Sequence, residues 1–174
     1  MFAKLSIAAT ALCLMSGATF AQSGANPSDP QIVYIAYTAG LLDIAAAKQA
    51  LSKSKNKEVR AFAQNMVAHH TAVNEQALAL LEKLKVTPED NDTSRALTNG
   101  AVAKRADLAK LKGAAFDKAY VTNEVTYHKA VNDALETTLI PSAGNAELRS
   151  FLQTGPKVFQ GHEQHAEQVA SALK

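Results

Sequence analysis

Residues 59–84, VRAFAQNMVAHHTAVNEQALALLEKL, decide the fold of this chain. Apolar residues recur here at spacings that alternate between four and three, the period of a helix packed along other helices. One polar residue, His70, interrupts this stripe near its middle. The pattern predicts a long amphipathic helix that turns a metal-competent side chain toward its neighbours. The stripe consists of Val59, Ala63, Met66, His70, Val73, Ala77, Leu80 and Leu84.

Three further stretches follow the same rhythm, and each is also interrupted by a ligand-type residue. Asp43 stands in the first, His128 in the second and His162 in the last. Because no window alternates apolar and polar residues as a strand does, the sequence predicts an all-α domain. The stripes are Ile32, Ala36, Ala39, Asp43, Ala46 and Ala50; Val121, Val125, His128, Asn132, Leu135 and Leu139; and Leu148, Leu152, Gly155, Phe159, His162, Ala166, Val169 and Leu173.

The chain of 174 residues divides into an export signal, a leader and one domain. Lys4, an apolar run and small residues before position 22 predict a signal peptide over 1–21. Residues 22–29 are predicted to be a flexible leader, and residues 30–173 the helical domain. We expect an exported protein, in the periplasm or associated with the outer membrane, without a transmembrane segment. Since the one cysteine, Cys13, lies in the signal, the mature chain offers no thiolate ligand.

The charge of the chain indicates no electrostatic partner. Lys and Arg number 18 against 16 Asp and Glu, for a formal net charge of +2. Basic residues cluster in places, but acidic residues are interspersed and no aromatic platform accompanies them. The sequence therefore argues against nucleic-acid binding. A homo-oligomer is compatible with a helical bundle, although no residue indicates one.

Turn residues and caps divide the domain into four long helices and one shorter segment. Residues 91–112 can span about 30 Å at about 1.5 Å per residue, enough to carry the chain back along the bundle. The third long helix then runs parallel to the second, which is the arrangement of a ferritin-like four-helix bundle with a long crossover containing an extra short helix. The predicted long helices cover 30–53, with Asp29 as N-cap; a stretch from a cap at Ser54 or Asn56 to 85; 114–139, closed by Pro141; and 146–173, broken at Gly155 and Pro156.

The antiparallel register brings the polar interruptions to one depth. Asp43 falls within one helical turn of His70, and His162 falls beside Glu124 with His128 one turn away. Imidazole and carboxylate groups together suit a divalent metal ion, zinc or iron. The candidate metal ligands are Asp43, His70, Glu124, His128 and His162.

Several motifs resemble a known family. They are Phe62 to His70 followed by Asn74, Phe116 to Tyr120 followed by His128, and Pro156 followed by His162. Together they are similar to the bacterial exported family called domain of unknown function 4142, whose members are often labelled outer membrane proteins. The resemblance covers about residues 30–173 and implies a ferritin-like bundle in the cell envelope, with no established activity or catalytic residues. This chain departs from the family pattern in two places, at His69, where the pattern has an acidic residue, and at Asp43, where it has a glutamate.

The sequence leaves several functions open. The leading interpretation is a non-enzymatic protein that binds a metal ion or small ligand in this layer as part of a stress response. A mononuclear metal or redox enzyme would use the same residues, but the Glu-x-x-His pattern of di-iron proteins, a nucleophile constellation and a phosphate loop are all missing from the sequence. The residues are also compatible with a buried polar layer that only sets helix register. A further alternative is that residues 91–112 dock onto a partner or the membrane surface.

Some polar residues fall beside the main stripes. His69 and His165 are expected to flank solvent without a role, unless His162 and His165 chelate an ion on one helix face. Asn74 is expected either to orient His70 or to face solvent. Asp117 is expected to compensate the helix dipole at the surface.

Overall fold

The computed structural model describes residues 26–173. Helices and their connecting turns make up this part of the chain, and no strand occurs between residues 26 and 173. The prediction of an all-α domain is therefore confirmed. The predicted signal peptide and the first part of the leader, residues 22–25, lie outside the described residues.

The first two helices form an antiparallel hairpin. α1 (Asp29–Lys53) and α2 (Lys57–Leu84) are joined by residues 54–56. The side chain of Asn56 caps α2 by accepting hydrogen bonds from the backbone N–H groups of Glu58 and Val59, at 2.9 and 3.2 Å. These bonds satisfy N–H groups that have no partner within the helix.

The cap of α1 differs from the prediction by one residue. Ser28, and not Asp29, is the N-cap. The carboxylate of Asp29 instead accepts hydrogen bonds from the backbone N–H groups of Gly144 and Asn145, at 2.7 and 2.9 Å. Asp29 was predicted from the local sequence to cap α1, but its carboxylate binds backbone groups of residues far along the chain.

α3 (Asp92–Lys110) packs along α1 and runs parallel to it. At its start Asn91 donates to the carbonyl of Gln31 at 3.4 Å, and near its end the carbonyl of Ala109 accepts from Lys53 at 2.8 Å. The helix therefore returns the chain along the length of the hairpin. Gly113, with a φ of 53°, then turns the chain into the next helix.

α4 (Gly113–Ala134) does not end where the sequence predicted. It continues through a π-helical turn (Leu135–Leu139) into α5 (Ile140–Ser142), and Pro141 lies within α5 where the prediction had it close the helix. Proline lacks an N–H group, and its ring clashes with the carbonyl four residues earlier in a regular α-helix. A wider turn in front of the proline accommodates that ring.

The last predicted helix is broken, as expected. α6 (Ala146–Leu152) and α7 (Gly155–Ala172) are separated by residues 153–154. α7 packs against α4 and α2, while α1 packs against α2 and α4. The four long helices of the bundle, α1, α2, α4 and α7, thus surround a common interior, and α3 lies outside it.

The interior holds two apolar clusters at different heights. One lies toward the α1–α2 turn and includes Phe62, Met66, Phe116 and Ala166. The other lies toward the opposite end and includes Ile32, Leu81, Leu139 and Leu148. Along each of the four long helices, the predicted polar ligand residues fall between the two clusters.

By length and composition, α1 also meets the criteria for a membrane-spanning helix, which buried core helices meet as well. In the structure its buried face supplies core residues such as Ile32, Ile35, Ala47 and Ala50.

Candidate metal centre

The five predicted ligand residues meet in one buried layer. α1 provides Asp43, α2 provides His70, α4 provides Glu124 and His128, and α7 provides His162. Each side chain is buried, with exposed fractions between 0 and 5%. They meet because the polar residue of each helix stands at the same height between the two apolar clusters.

Asp43 stands between two imidazoles. Its Oδ2 atom lies 3.0 Å from Nε2 of His70 and 3.2 Å from Nε2 of His128. The ring of His162 completes the group, with its centroid 5.2 Å from that of each of these two rings. One nitrogen of each of the three histidines lies within 4.8 Å of the others, and the same holds for ligand atoms of Asp43, Glu124 and His128. Both groups are compact enough to hold a metal ion.

Hydrogen bonding at the far side of His128 determines which nitrogen is free. Nδ1 of His128 lies 3.0 Å from the backbone carbonyl of Glu124, four residues earlier. Since a carbonyl only accepts, Nδ1 must carry the proton and donate. In the neutral ring Nε2 then presents a lone pair, and it points into the layer toward Asp43.

His162 is held in a similar way by His69, a residue for which the sequence predicted no role. Nε2 of His162 and Nδ1 of His69 are 2.9 Å apart, and the two rings stack with centroids 5.1 Å apart. If His162 donates from Nε2, its Nδ1 is a free lone pair. The reverse arrangement would leave a buried N–H group at Nδ1 of His162, which has no partner among residues 26–173 and is costly to bury.

The layer does not satisfy itself by hydrogen bonds. Neither oxygen of Asp43 and neither ring nitrogen of His70 makes an aligned hydrogen bond with any group in the described part of the chain. The short distance between Asp43 and His70 is therefore a contact without the direction of a hydrogen bond. Such an arrangement suits atoms that face a common point more than atoms that face one another.

Burial and mutual charge set the pKa values in the layer. Burial alone would raise the pKa of Asp43, but the neighbouring imidazoles, His70 above all, lower it below its usual value. Burial, reinforced by Asp43, raises the pKa of Glu124 well above its usual value. Burial lowers the pKa of His128 in spite of Asp43, and it lowers the pKa of His162 from 6.5 to about 3, with further contributions from His128 and His70. The layer therefore favours a carboxylate anion at Asp43, a protonated carboxyl group at Glu124 and neutral rings at His128 and His162.

Aromatic side chains enclose the layer. The ring of Phe159 stacks on that of His70, with centroids 5.3 Å apart and an interplanar angle of 3°. Tyr127 donates from its hydroxyl to the carbonyl of Ala39 at 2.8 Å. The hydroxyl of Tyr120 is buried without a partner among the residues that the structure describes, and burial followed by the charge of Glu124 raises its pKa.

The remaining polar residues differ from their predictions in part. His69 is exposed, as expected, but it contacts His162. His165 packs edge-on against Phe62, with ring centroids 5.2 Å apart, while the ring of His162 faces the layer and His69. The packing of α7 against α2, and not any spacing along α2, brings His69 to the site.

Asn74 and Asp117 are both buried, so Asp117 does not have its expected surface role and Asn74 does not face solvent, which was one of its two alternatives. Asn74 lies against Gly40, where an added Cβ atom would come within 2.3 Å of its Oδ1. Its amide donates to the carbonyl of Tyr37 at 3.4 Å, and it does not bond to His70. Asp117 has one oxygen without a hydrogen-bond partner within residues 26–173.

Comparison with known proteins supports the family resemblance. The chain matches no curated protein at a significant level. It matches no solved structure at that level either. A family profile matches residues 14–169, nearly the whole chain. This match agrees with the family resemblance of the sequence motifs, and the chain belongs to the family described as domain of unknown function DUF4142.

Proposed function

We propose that this protein binds a divalent transition-metal ion in the layer formed by Asp43, His70, His128 and His162. One observation carries the proposal: two of the three imidazoles have one nitrogen engaged on the outside of the layer, and their other nitrogens lack partners among the described residues. Metal-binding histidines are typically oriented in this way by a hydrogen bond at the second nitrogen.

The spacing of the ligand atoms supports a tetrahedral ion. Zinc binds imidazole nitrogen and carboxylate oxygen at about 2.0–2.2 Å, so neighbouring ligand atoms of a tetrahedron are about 3.3 Å apart. Asp43 Oδ2 lies 3.0 Å from His70 Nε2 and 3.2 Å from His128 Nε2. Three imidazoles and one carboxylate suit zinc or iron(II). Glu124 is then a neighbouring carboxyl group, within reach as a further ligand.

A purely structural polar layer explains these contacts less well. If the layer were only structural, its side chains would have to satisfy one another, since each buried polar group without a partner costs about 1–3 kcal/mol. Several atoms of the layer lack such a partner within residues 26–173. A bound cation would satisfy the oxygen of Asp43 and the free nitrogens at once.

The proposal includes an exported protein with a ferritin-like arrangement of helices. Its support is the hairpin of α1 and α2, the return of the chain along α3, and the antiparallel pairing of α4 and α7. Export rests on the signal pattern of residues 1–21. Cell fractionation with amino-terminal sequencing tests it, and protein that stays inside the inner membrane with residues 1–21 intact would contradict it.

The test is metal analysis of protein purified without an affinity tag, followed by thermal unfolding with added zinc, iron(II) or copper(II). An ion that binds only the folded state, at a free concentration of about 100 times its Kd, raises the free energy of unfolding by about 2.7 kcal/mol. We expect this gain in the wild type and its loss in His162→Gln. His165→Gln is the matched control, because His165 is a partly exposed histidine of the same helix whose ring packs on Phe62.

The wild-type measurement alone is decisive if a variant fails to fold. Protein that contains no metal and that no ion stabilises would reject the proposal. Equal loss of stabilisation in His165→Gln and His162→Gln would place the ion elsewhere.

A further inference from the structure

A cavity of about 60 Å³ lies next to the polar layer, bounded by α1, α2, α4, α7 and the segment around residues 151–154. Most of its wall is apolar and includes Ile35, Val131 and Leu139. His70 and His128 also line it. Since the apolar lining residues lie toward the Leu139 end of the bundle, the two histidines form the polar end of the cavity.

Two irregularities in the helices face this space. Leu135 and Leu139 belong to the π-helical turn, Thr154 lies in the break between α6 and α7, and Gly155 is the first residue of α7. All four line the cavity. Widened turns of this kind occur often at functional sites, and here both interruptions border the same cavity.

Gly155, the first residue of α7, lets the π-helical turn approach α7 closely beside the cavity. A Cβ atom at Gly155 would lie 3.2 Å from Leu135 Cδ1 and 3.2 Å from Phe159 Cε2, which is tighter than ordinary packing. The exposed residues Gln76, Thr154 and Val158 stand at the mouth of the cavity. A small molecule can therefore reach the interior beside α7.

Size and polarity limit the ligand. A group the size of a water molecule needs about 10–15 Å³ of such a cavity. A volume of about 60 Å³ therefore accommodates about four to six non-hydrogen atoms. Water needs two to four polar partners, and these are found at the polar end of the cavity, whereas most of the wall is aliphatic and suits a hydrocarbon chain. An anion would lie near the negative charge of Asp43, which contacts both histidines of the lining, and a cation would lose its hydration against an apolar wall.

We propose that this cavity binds an uncharged aliphatic molecule of about four to six non-hydrogen atoms that carries one hydroxyl or carbonyl group. The chain of the molecule fills the apolar part, and its polar group reaches His70 and His128. The proposal does not require a metal ion.

The experiment titrates chelator-treated protein with 1-butanol and, separately, with butyrate, its carboxylate counterpart of similar size. Methyl NMR signals of Val131, Leu135 and Leu139 report binding. We expect saturable shifts with 1-butanol and at least about ten-fold weaker binding of butyrate, because of the charge of Asp43. No saturable shift at any of these methyl groups, or equal affinity for the two probes, would overturn the proposal.

Two variants test the location. Ala36→Leu places a larger side chain in the cavity wall, and Ala45→Leu is its matched control, since Ala45 is a half-buried alanine of the same helix outside the lining. We expect Ala36→Leu to weaken butanol binding by about ten-fold and Ala45→Leu to leave it unchanged. Val158→Phe, at a position that is 39% exposed, narrows the mouth of the cavity without overpacking the core. Wild-type affinity for butanol in both Ala36→Leu and Val158→Phe would overturn the proposal. Because the chelator removes metal, this outcome is distinct from failure of the metal site.

Discussion

Asp43 and Glu124 are two buried carboxyl groups of one layer, yet their pKa values move in opposite directions. Imidazoles outweigh the effect of burial at Asp43 and lower its pKa, whereas burial and the charge of Asp43 raise the pKa of Glu124. Two like charges this close are not both favoured in a region of low polarity. Asp43 therefore carries the negative charge of the metal-free layer, and Glu124 keeps its proton.

This difference predicts unequal effects of removing the two carboxyl groups. Near neutral pH, we expect Asp43→Asn to weaken zinc binding by about 100-fold or more, because an amide is a poor ligand for zinc. Glu124→Gln should weaken it by only about ten-fold, the lower end of the loss caused by removing a residue that supports the ligands. Calorimetric titration of the two variants measures both effects. Equal losses would show that both carboxyl groups act as ligands.

At the scale of helices, a close approach of α1 and α2 beside the layer depends on one glycine. Gly40 leaves the space that the side chain of Asn74 occupies, and a Cβ atom there would lie 2.3 Å from Asn74 Oδ1 and 2.9 Å from its Cγ. The amide of Asn74 in turn donates to the carbonyl of Tyr37. The pair thus positions the hairpin one turn away from both His70 and Asp43.

Gly40→Ala is therefore expected to destabilise the protein in spite of the higher helix propensity of alanine. Displacing Asn74 from a packed site should lower the free energy of unfolding by about 1–3 kcal/mol. In the double variant Gly40→Ala/Asn74→Ala the clash is absent. We therefore expect its loss of stability to be smaller than the sum of the two single losses, by at least about 0.5 kcal/mol. Denaturant unfolding of the two single variants and the double variant gives this coupling. Additive effects would contradict the close contact.

At the scale of the whole molecule, a polar layer from four helices separates two apolar clusters. Because His128 and His162 have lowered pKa values, the folded state without metal resists protonation of these rings, whereas the unfolded chain takes up protons at about pH 6.5. The unfolded state therefore binds more protons below this pH, and stability falls as the pH falls. Glu124 acts in the opposite direction, since its raised pKa stabilises the folded state as the pH falls toward about 4.5.

We expect the free energy of unfolding of metal-free protein to decrease between about pH 6.5 and pH 5, with a limiting slope of about 1.4 kcal/mol per pH unit for each net proton taken up. His162→Gln should make this decrease shallower, and Glu124→Gln should make it steeper. Urea unfolding at several pH values in the presence of a chelator measures the slopes. A wild-type stability that stays constant over this interval would refute the burial of neutral imidazoles in the folded state.

The sequence by itself determined the helices and the depth of the polar residues within them. The alternation of three and four residues places Asp43, His70, His128 and His162 on inward faces, because side chains at this period share one side of a helix. The caps and breakers that the sequence offers also marked the turn at Asn56 and the break before Gly155.

The tertiary structure alone decided which atoms face which. The contact of His69 with His162, the burial of Asp117 and the hydrogen bonds of Asp29 to residues 144 and 145 all depend on neighbours far along the chain. Local periodicity specifies the face of a helix but not the partner that this face meets. The free nitrogens of the layer and the cavity beside it exist only once four helices have packed together.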